Sequence, residues 1–340
     1  MKVISREALA SWLNRVAQQR LLLAPVFVED VLLYRPVQDV RQSAVFAPGA
    51  IRPAMSIKEA FFPPTERLLT VDRALDVANP AVRQVRLTET LPEGQQVIFG
   101  VRPCDARGVR VLDALFLQDS PSDPYYARRR ENTALIGMAC SEMGPSCFCR
   151  SVGGAPDDPE GVDIFLSEAN GGYEVQVLTD KGRELIGDLA LEEVDGARVR
   201  AVPNEPIPVP DTMVWPAYFE DAFWGKISEA CLSCRICAYV CPTCRCFDVR
   251  DEAVPSTDGA EHFERIRCWD SCSGVGYRRI AGGHNPRAEE GQRLRNRFLC
   301  KFYYFPQQYG PTACTGCGRC IDACPVGIDI TEVLAHLVTG

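Results

Sequence analysis

The chain has 340 residues, a formal charge of −8, 46% hydrophobic residues and 24% charged ones. That length allows two or three domains, each with a core of its own, and the composition excludes a disordered chain. No apolar run approaches the ~18 residues of a membrane span, the first twenty residues lack the apolar stretch of an export signal, and net acidity disfavours general nucleic-acid binding.

In chain order the pattern begins with a helix, because Leu9, Trp12, Leu13 and Val16 recur at i, i+3, i+4 and i+7. Residues 26–28 and 31–33 flank Glu29-Asp30 as a short hairpin. Pro48, Pro53, Pro63 and Pro64 break the next stretch into loops. Residues 97–101 and 134–139 are continuous apolar runs of buried-strand type, with a helical segment at 108–117 between them. This β-α-β order predicts two parallel strands in a covered sheet. Residues 164–166 and 173–178 flank Asn170-Gly171-Gly172 as a hairpin, and a short helix is predicted over 182–191. Pro203, Pro206, Pro208, Pro210 and Pro216 then mark an extended linker. The predicted fold class is α+β or α/β, with an amino-terminal α/β domain over 1–215 and a second domain over 216–340.

The 17 cysteines are unevenly placed: Cys104, Cys140, Cys147 and Cys149 are the only four before residue 230. An odd number in a chain without an export signal points to a cytoplasmic protein and to metal ligation rather than a disulfide framework. Two runs carry the pattern C-x2-C-x2-C-x3-C-P: Cys231, Cys234, Cys237, Cys241-Pro242, and Cys314, Cys317, Cys320, Cys324-Pro325. This is the spacing of bacterial two-[4Fe–4S] ferredoxins. Three thiolates on one tight loop take three corners of a cubane, while the fourth points to the other cluster. Cys231, Cys234, Cys237 and Cys324 are therefore assigned to one cluster. Cys314, Cys317, Cys320 and Cys241 are assigned to the second. Structural zinc needs only four ligands and fits two complete runs poorly.

A long insertion over 245–310, predicted to be helical, separates the two motifs. It is basic between His262 and Lys301, with Arg265, Arg267, Arg278, Arg279, Arg287, Arg293, Arg295, Arg297 and Lys301 against four acids. Three readings compete for this charge: a solvated helical face, an offset to anionic clusters, or a dock for an acidic partner. The roles of Cys244, Cys246, Cys268, Cys272 and Cys300 stay open between a further metal site and buried thiols that donate to cluster sulfur.

Cys104 and Cys140 each follow a predicted buried strand, so parallel pairing brings both to one carboxyl edge of the sheet, where open α/β sheets bind ligands. Cys147 and Cys149 lie in the next loop, close enough to turn back. A third [4Fe–4S] cluster on Cys104, Cys140, Cys147 and Cys149 is the favoured reading; a redox-active C-x-C and simple packing are the alternatives. No G-x-G-x-x-G, P-loop, H-E-x-x-H or G-x-S-x-G is present, so the chain offers electron stations without an evident substrate site.

Phe99-Gly100-Val101-Arg102-Pro103-Cys104-Asp105, Cys147-Phe148-Cys149 and Cys241-Pro242-Thr243-Cys244-Arg245-Cys246-Phe247-Asp248 form a constellation with Cys268-Trp269-Asp270-Ser271-Cys272 and Ala281-Gly282-Gly283-His284-Asn285-Pro286-Arg287. From about residue 63 onward this resembles the iron–sulfur family that contains sulfhydrogenase beta subunits and the corresponding subunit of anaerobic sulfite reductase. The resemblance implies an electron-transfer subunit rather than a catalyst working alone. Its implied partners are a flavoprotein subunit that oxidises NAD(P)H and a terminal hydrogenase, sulfite reductase or heterodisulfide-reductase-like module. It also supports the amino-terminal third cluster. The alternative function is direct reduction of sulfur, sulfite or a disulfide at the amino-terminal cluster.

Overall fold

The computed structural model describes residues 1–46, 52–75, 83–169, 171–196, 198–257 and 260–339. Pro48 and Asn170, which the sequence marks as loop and turn residues, lie outside these. The strands are β1 (Lys2–Ser5), β2 (Leu21–Val28), β3 (Val31–Pro36), β4 (Thr65–Leu75), β5 (Arg83–Glu89), β6 (Gln96–Val101), β7 (Thr133–Met138), β8 (Ile164–Ala169), β9 (Gly172–Val177), β10 (Glu192–Glu193), β11 (Phe247–Val254) and β12 (Glu261–Trp269). Eight of them form one mixed sheet in the order β10-β1-β9-β8-β7-β6-β2-β3. Its centre is parallel: β2 with β6, β6 with β7 and β7 with β8. The antiparallel pairs lie toward its two ends.

The parallel centre explains the continuous apolar runs, because both of its faces are covered. Alternate residues of β6 point into different cores. Val97 and Phe99 join Leu9, Trp12, Leu13 and Val16 of the Arg6–Gln19 helix. Ile98 and Val101 join Val109, Leu112 and Phe116 of the Pro103–Gln118 helix. The Ser5 hydroxyl caps the first of these helices by accepting from the Ala8 amide at 3.2 Å. Glu29, at φ 53°, makes the two-residue turn between β2 and β3.

A second sheet, entirely antiparallel, runs β11-β12-β4-β5. It draws two strands from before residue 215 and two from after it. The insertion over 245–310 is therefore not helical throughout. It opens as the long β11–β12 hairpin and becomes helical only from Glu290–Leu299 onward. The periodicity of the basic residues hides this, since arginine on an exposed strand face looks much like arginine on a helix. The proline-broken stretch after Pro64 likewise contains two strands that polar composition conceals, and all seven residues of β5 are exposed.

Buried charge ties the second sheet to the first. Arg267 of β12, 4% exposed, donates through Nε to Glu66 of β4 at 3.0 Å, and its guanidinium also reaches Asp123. Arg129 reaches Glu66 from the Pro124–Glu131 helix. Trp269 completes the join by donating its indole N–H to the Phe62 carbonyl at 3.0 Å.

The carboxy-terminal core gathers Trp215, Trp224, Leu294, Phe298, Phe302, Ile330, Val333, Leu334 and Leu337, and takes in Phe148 and Val152 from the amino-terminal part. The proline-rich stretch before it has neither helix nor strand over residues 199–211. It is nonetheless tied down, with the Asn204 amide donating to the Gly144 and Cys147 carbonyls at 2.9 and 2.8 Å. Among the described residues, no helix is long and apolar enough to cross a membrane.

Candidate metal centres

The two cysteine runs share one backbone plan. In the first, Ser233 and Arg235 flank Cys234 with φ of 49° and 67°. In the second, Gly316 and Gly318 flank Cys317 with φ of 63° and 75°. Two left-handed residues around the middle cysteine curl the loop so that three thiols converge. Each loop then enters a short helix, Ile236–Tyr239 or Arg319–Asp322, beyond which the fourth cysteine lies. The second loop needs glycine for a further reason. A Cβ on Gly316 would sit 2.6 Å from the backbone of Cys149, and one on Gly318 would sit 2.4 Å from the Ser146 carbonyl oxygen.

Cys231, Cys234, Cys237 and Cys324 line one cavity, walled by Leu294, Phe298, Ile330 and Arg297. The fourth member thus comes from the opposite motif. Cys241 in turn lies with the second loop, where its charge acts on both Cys314 and Cys320, as does that of Cys317. Cys320 also reaches the cavity of the first group, so the two groups adjoin.

Cys104, Cys140, Cys147 and Cys149 line another cavity, together with Arg52, Arg102, Gly316 and Cys317. Cys104 opens the Pro103–Gln118 helix directly beyond β6, and Cys140 follows β7, so parallel pairing delivers both to one sheet edge. The loop carrying the other two is held against the second motif, for the Phe148 amide donates to the Gly316 carbonyl at 2.8 Å. All twelve candidate ligands therefore fall into three adjoining groups of four, with the second group in the middle.

Burial makes several of these thiols hard to ionise unaided. It pushes Cys149 and Cys314 up to about 11 and Cys320 up to about 12, and it raises Cys104 as well, with Asp105 adding to the effect. Cys241 moves the other way, lowered chiefly by a hydrogen bond from Cys244 and further by Lys301 and Arg297. Cations surround the groups. Lys301, 3% exposed, donates to the Cys241 sulfur at 3.2 Å and to the Thr243 hydroxyl at 2.8 Å. Arg297, 4% exposed, donates to Cys244 at 3.3 Å and feels the charges of Cys237, Cys244, Cys320 and Cys241. Arg319 is fixed by a two-point pair with Asp105, at 2.6 and 2.7 Å, beside Cys317 and Cys104.

Iron–sulfur clusters fit this donor set on a second count. Arg52 Nε, Arg107 Nη1, Arg297 Nη2 and Thr315 Oγ1 are buried with no protein acceptor, and all belong to residues beside these cysteines. Buried donors without acceptors each cost about 1–3 kcal/mol, a deficit that anionic sulfide nearby removes. Most of these cations escape a reading of the sequence. Among the described residues of the basic insertion, Arg297 and Lys301 are the cations seen to approach the thiols of the three groups. Arg267 instead pairs with Glu66, Arg265 pairs with Asp251, and Arg295 stacks 3.6 Å above Phe219. Arg52, Arg107 and Arg319 lie far off in sequence or inside a motif whose pattern specifies only cysteines.

A loop-and-helix pair of this kind, with two interleaved sets of four cysteines, defines an iron–sulfur electron-transfer protein. Residues 230–328 match the family of 4Fe-4S dicluster domains, which carries two [4Fe–4S] clusters. Over 272 residues the chain is 35% identical to sulfhydrogenase 2 subunit beta of Pyrococcus furiosus, covering 76% of this chain and 79% of that protein. The chain belongs to the sulfhydrogenase beta subunit family. No solved structure matches it.

Proposed function

We propose that this chain is the relay subunit of a cytoplasmic multi-subunit oxidoreductase, with three electron stations in a fixed order. Cys104, Cys140, Cys147 and Cys149 hold the first station. Cys314, Cys317, Cys320 and Cys241 hold the middle one, and Cys231, Cys234, Cys237 and Cys324 the last. When bound, a [4Fe–4S] cluster at each site supplies a one-electron couple. The observation that carries the reading is adjacency: the amino-terminal cysteine loop packs directly on Gly316 and Gly318, between the cysteines of the second motif.

The protein's own residues do the rest. Left-handed loop residues aim the thiolates, apolar walls such as Leu294 and Phe298 exclude water, and Arg297, Lys301 and Arg319 balance the negative charge. Cys234 is exposed, which puts the last station nearest the surface and within reach of a partner. Parts 1–215 and 216–340 each contribute stations to the chain of transfer. The partners are a flavoprotein that oxidises NAD(P)H and a terminal reductase or hydrogenase, by extension from the family.

Iron content tests the reading. Anaerobically prepared protein is expected to hold about twelve irons per chain, four for each cubane. The double variant Cys147→Ala/Cys149→Ala is expected to lose one cluster's electron paramagnetic resonance (EPR) signal and keep the other two. About eight irons in the unaltered protein would remove the amino-terminal station and leave the dicluster relay. Steady reduction of sulfite or sulfur by the isolated chain with an artificial donor would replace the relay with a reductase.

A further inference from the structure

Five cysteines stand outside the three groups, and two of them meet. The β11–β12 ladder extends to Cys246, whose carbonyl accepts from the Asp270 amide at 2.9 Å. Past Asp270 the chain turns back through Ser271 and Ser273, whose hydroxyls lie 2.7 Å apart. That turn buries Cys272, 7% exposed, two residues beyond the Asp270 amide that bonds the Cys246 carbonyl, and so brings its thiol beside half-buried Cys246. Tyr277 lies beside the same Cys246. The remaining cysteines are engaged elsewhere. Cys244 hydrogen-bonds to Cys241, the Cys268 thiol donates to Thr65 at 3.8 Å, and Cys300 accepts from Arg245 at 3.8 Å.

We propose that Cys246 and Cys272 form a redox-active dithiol, which low-molecular-weight disulfides oxidise to an intramolecular disulfide. The two residues have different parts in the exchange. The Cys246 thiolate attacks one sulfur of the disulfide RSSR, forming Cys246–S–SR and expelling RS⁻. The Cys272 thiol then passes its proton to thiolate in solution, attacks the Cys246 sulfur and expels the second RS⁻. Two protein thiols lose two electrons, and RSSR gains them to become two RSH.

Exposure and charge suit this division, since partly exposed Cys246 is the more accessible of the two and buried Cys272 is held in reserve. The hydrogen bond from Cys272 brings Cys246 down to about 6, against the effect of burial, with Tyr277 and Arg245 adding to the lowering. The same bond and burial hold Cys272 well above the ordinary thiol range, so it keeps its proton until the mixed disulfide forms. The pair lies apart from the candidate cluster ligands, with Cys244 between it and Cys241. The inference therefore stands whether or not the third station exists.

The test uses the anaerobic, iron-loaded protein equilibrated in glutathione buffers of graded potential, then alkylated and digested with trypsin. Cys246 falls in the peptide 246–250, and fragment ions separate Cys272 from Cys268 within 268–278. Alkylation at Cys246 and Cys272 is expected to vanish together in one reversible two-electron step, with iron content unchanged. In Cys272→Ala, a stable glutathione adduct is expected on Cys246. The rate of Cys246 alkylation at pH 7 is expected to fall at least about tenfold as its thiolate fraction drops. Persistent alkylation of both cysteines at every potential, or independent oxidation of the two, would overturn the proposal. So would iron loss in Cys246→Ser or Cys272→Ala, because that would make them ligands. Iron stoichiometry reports on the relay separately, so a failure of either idea leaves the other standing.

Discussion

At the scale of residues, Arg297 has the most demanding position. It is buried, its Nη1 donates to Cys244, its Nη2 has no protein acceptor, and cysteines of both motifs surround it. A fixed cation there favours the reduced, more negative form of each neighbouring cluster. Arg297→Gln is expected to lower both dicluster potentials by about 100 mV or less, as a unit charge some 7 Å away does at an effective dielectric constant of about 20. Arg297→Lys is expected to recover part of the shift. An EPR-monitored redox titration reads both values, and unchanged potentials in Arg297→Gln would show that the guanidinium serves packing alone. This residue was visible in the sequence only as one arginine among many. Its spacing resembles that of its neighbours, and only burial distinguishes it from Arg278 and Arg279, which are exposed.

At the scale of elements, the second sheet shows where charge replaces apolar packing. Glu66 and Arg267 have side chains 2% and 4% exposed, and Arg129 and Asp123 complete the network. Arg267→Ala leaves Glu66 with Arg129 alone and strips Asp123 of a partner. It is expected to destabilise the fold by about 3 kcal/mol, in the range for breaking a buried pair. Anaerobic chemical denaturation measures this. The exposed pair Arg265–Asp251 on the same hairpin is the control, and Arg265→Ala is expected to leave the midpoint unchanged.

Sequence patterning located the elements whose apolar residues are periodic or continuous: the Arg6–Gln19 helix, the β2–β3 hairpin, β6, β7 and the first of the two helices between them, Pro103–Gln118. It missed β4, β5, β11 and β12 because their faces are largely polar, and because the β4–β12 pairing that joins the two hairpins links residues about two hundred positions apart. A ladder such as Thr65 against Cys268 leaves no local signature.

At the scale of the whole molecule, the three thiol groups lie at the junction of its parts. Phe148 and Val152 sit in the carboxy-terminal core, and Arg319 of the second motif is locked to Asp105 of the Pro103–Gln118 helix. In the proposed three-station relay, iron bound at the groups would brace both parts of the chain together. Each oxidised cluster with four thiolates carries about −2, which moves the protein from −8 toward about −14 with all three present and gives buried Arg297 and Lys301 their counter-charge. Anaerobic chelation is expected to lower the thermal midpoint and to open the joint near Gly316 to limited proteolysis. An unchanged midpoint after iron removal would show that protein contacts alone hold the joint.

The sequence by itself determined the local chemistry. C-x2-C-x2-C-x3-C-P spans one loop and one helical turn, so its spacing dictates which three thiols converge and that the fourth leaves. Tertiary structure decided the matters that depend on distance through space. It grouped Cys104, Cys140, Cys147 and Cys149 against Gly316, chose Arg297, Lys301 and Arg319 as the buried cations, and set Cys246 beside Cys272. The physical reason is range. Thiol convergence within a motif is settled by a few backbone dihedrals, whereas charge compensation and the grouping of remote thiols arise only when distant segments share one excluded volume.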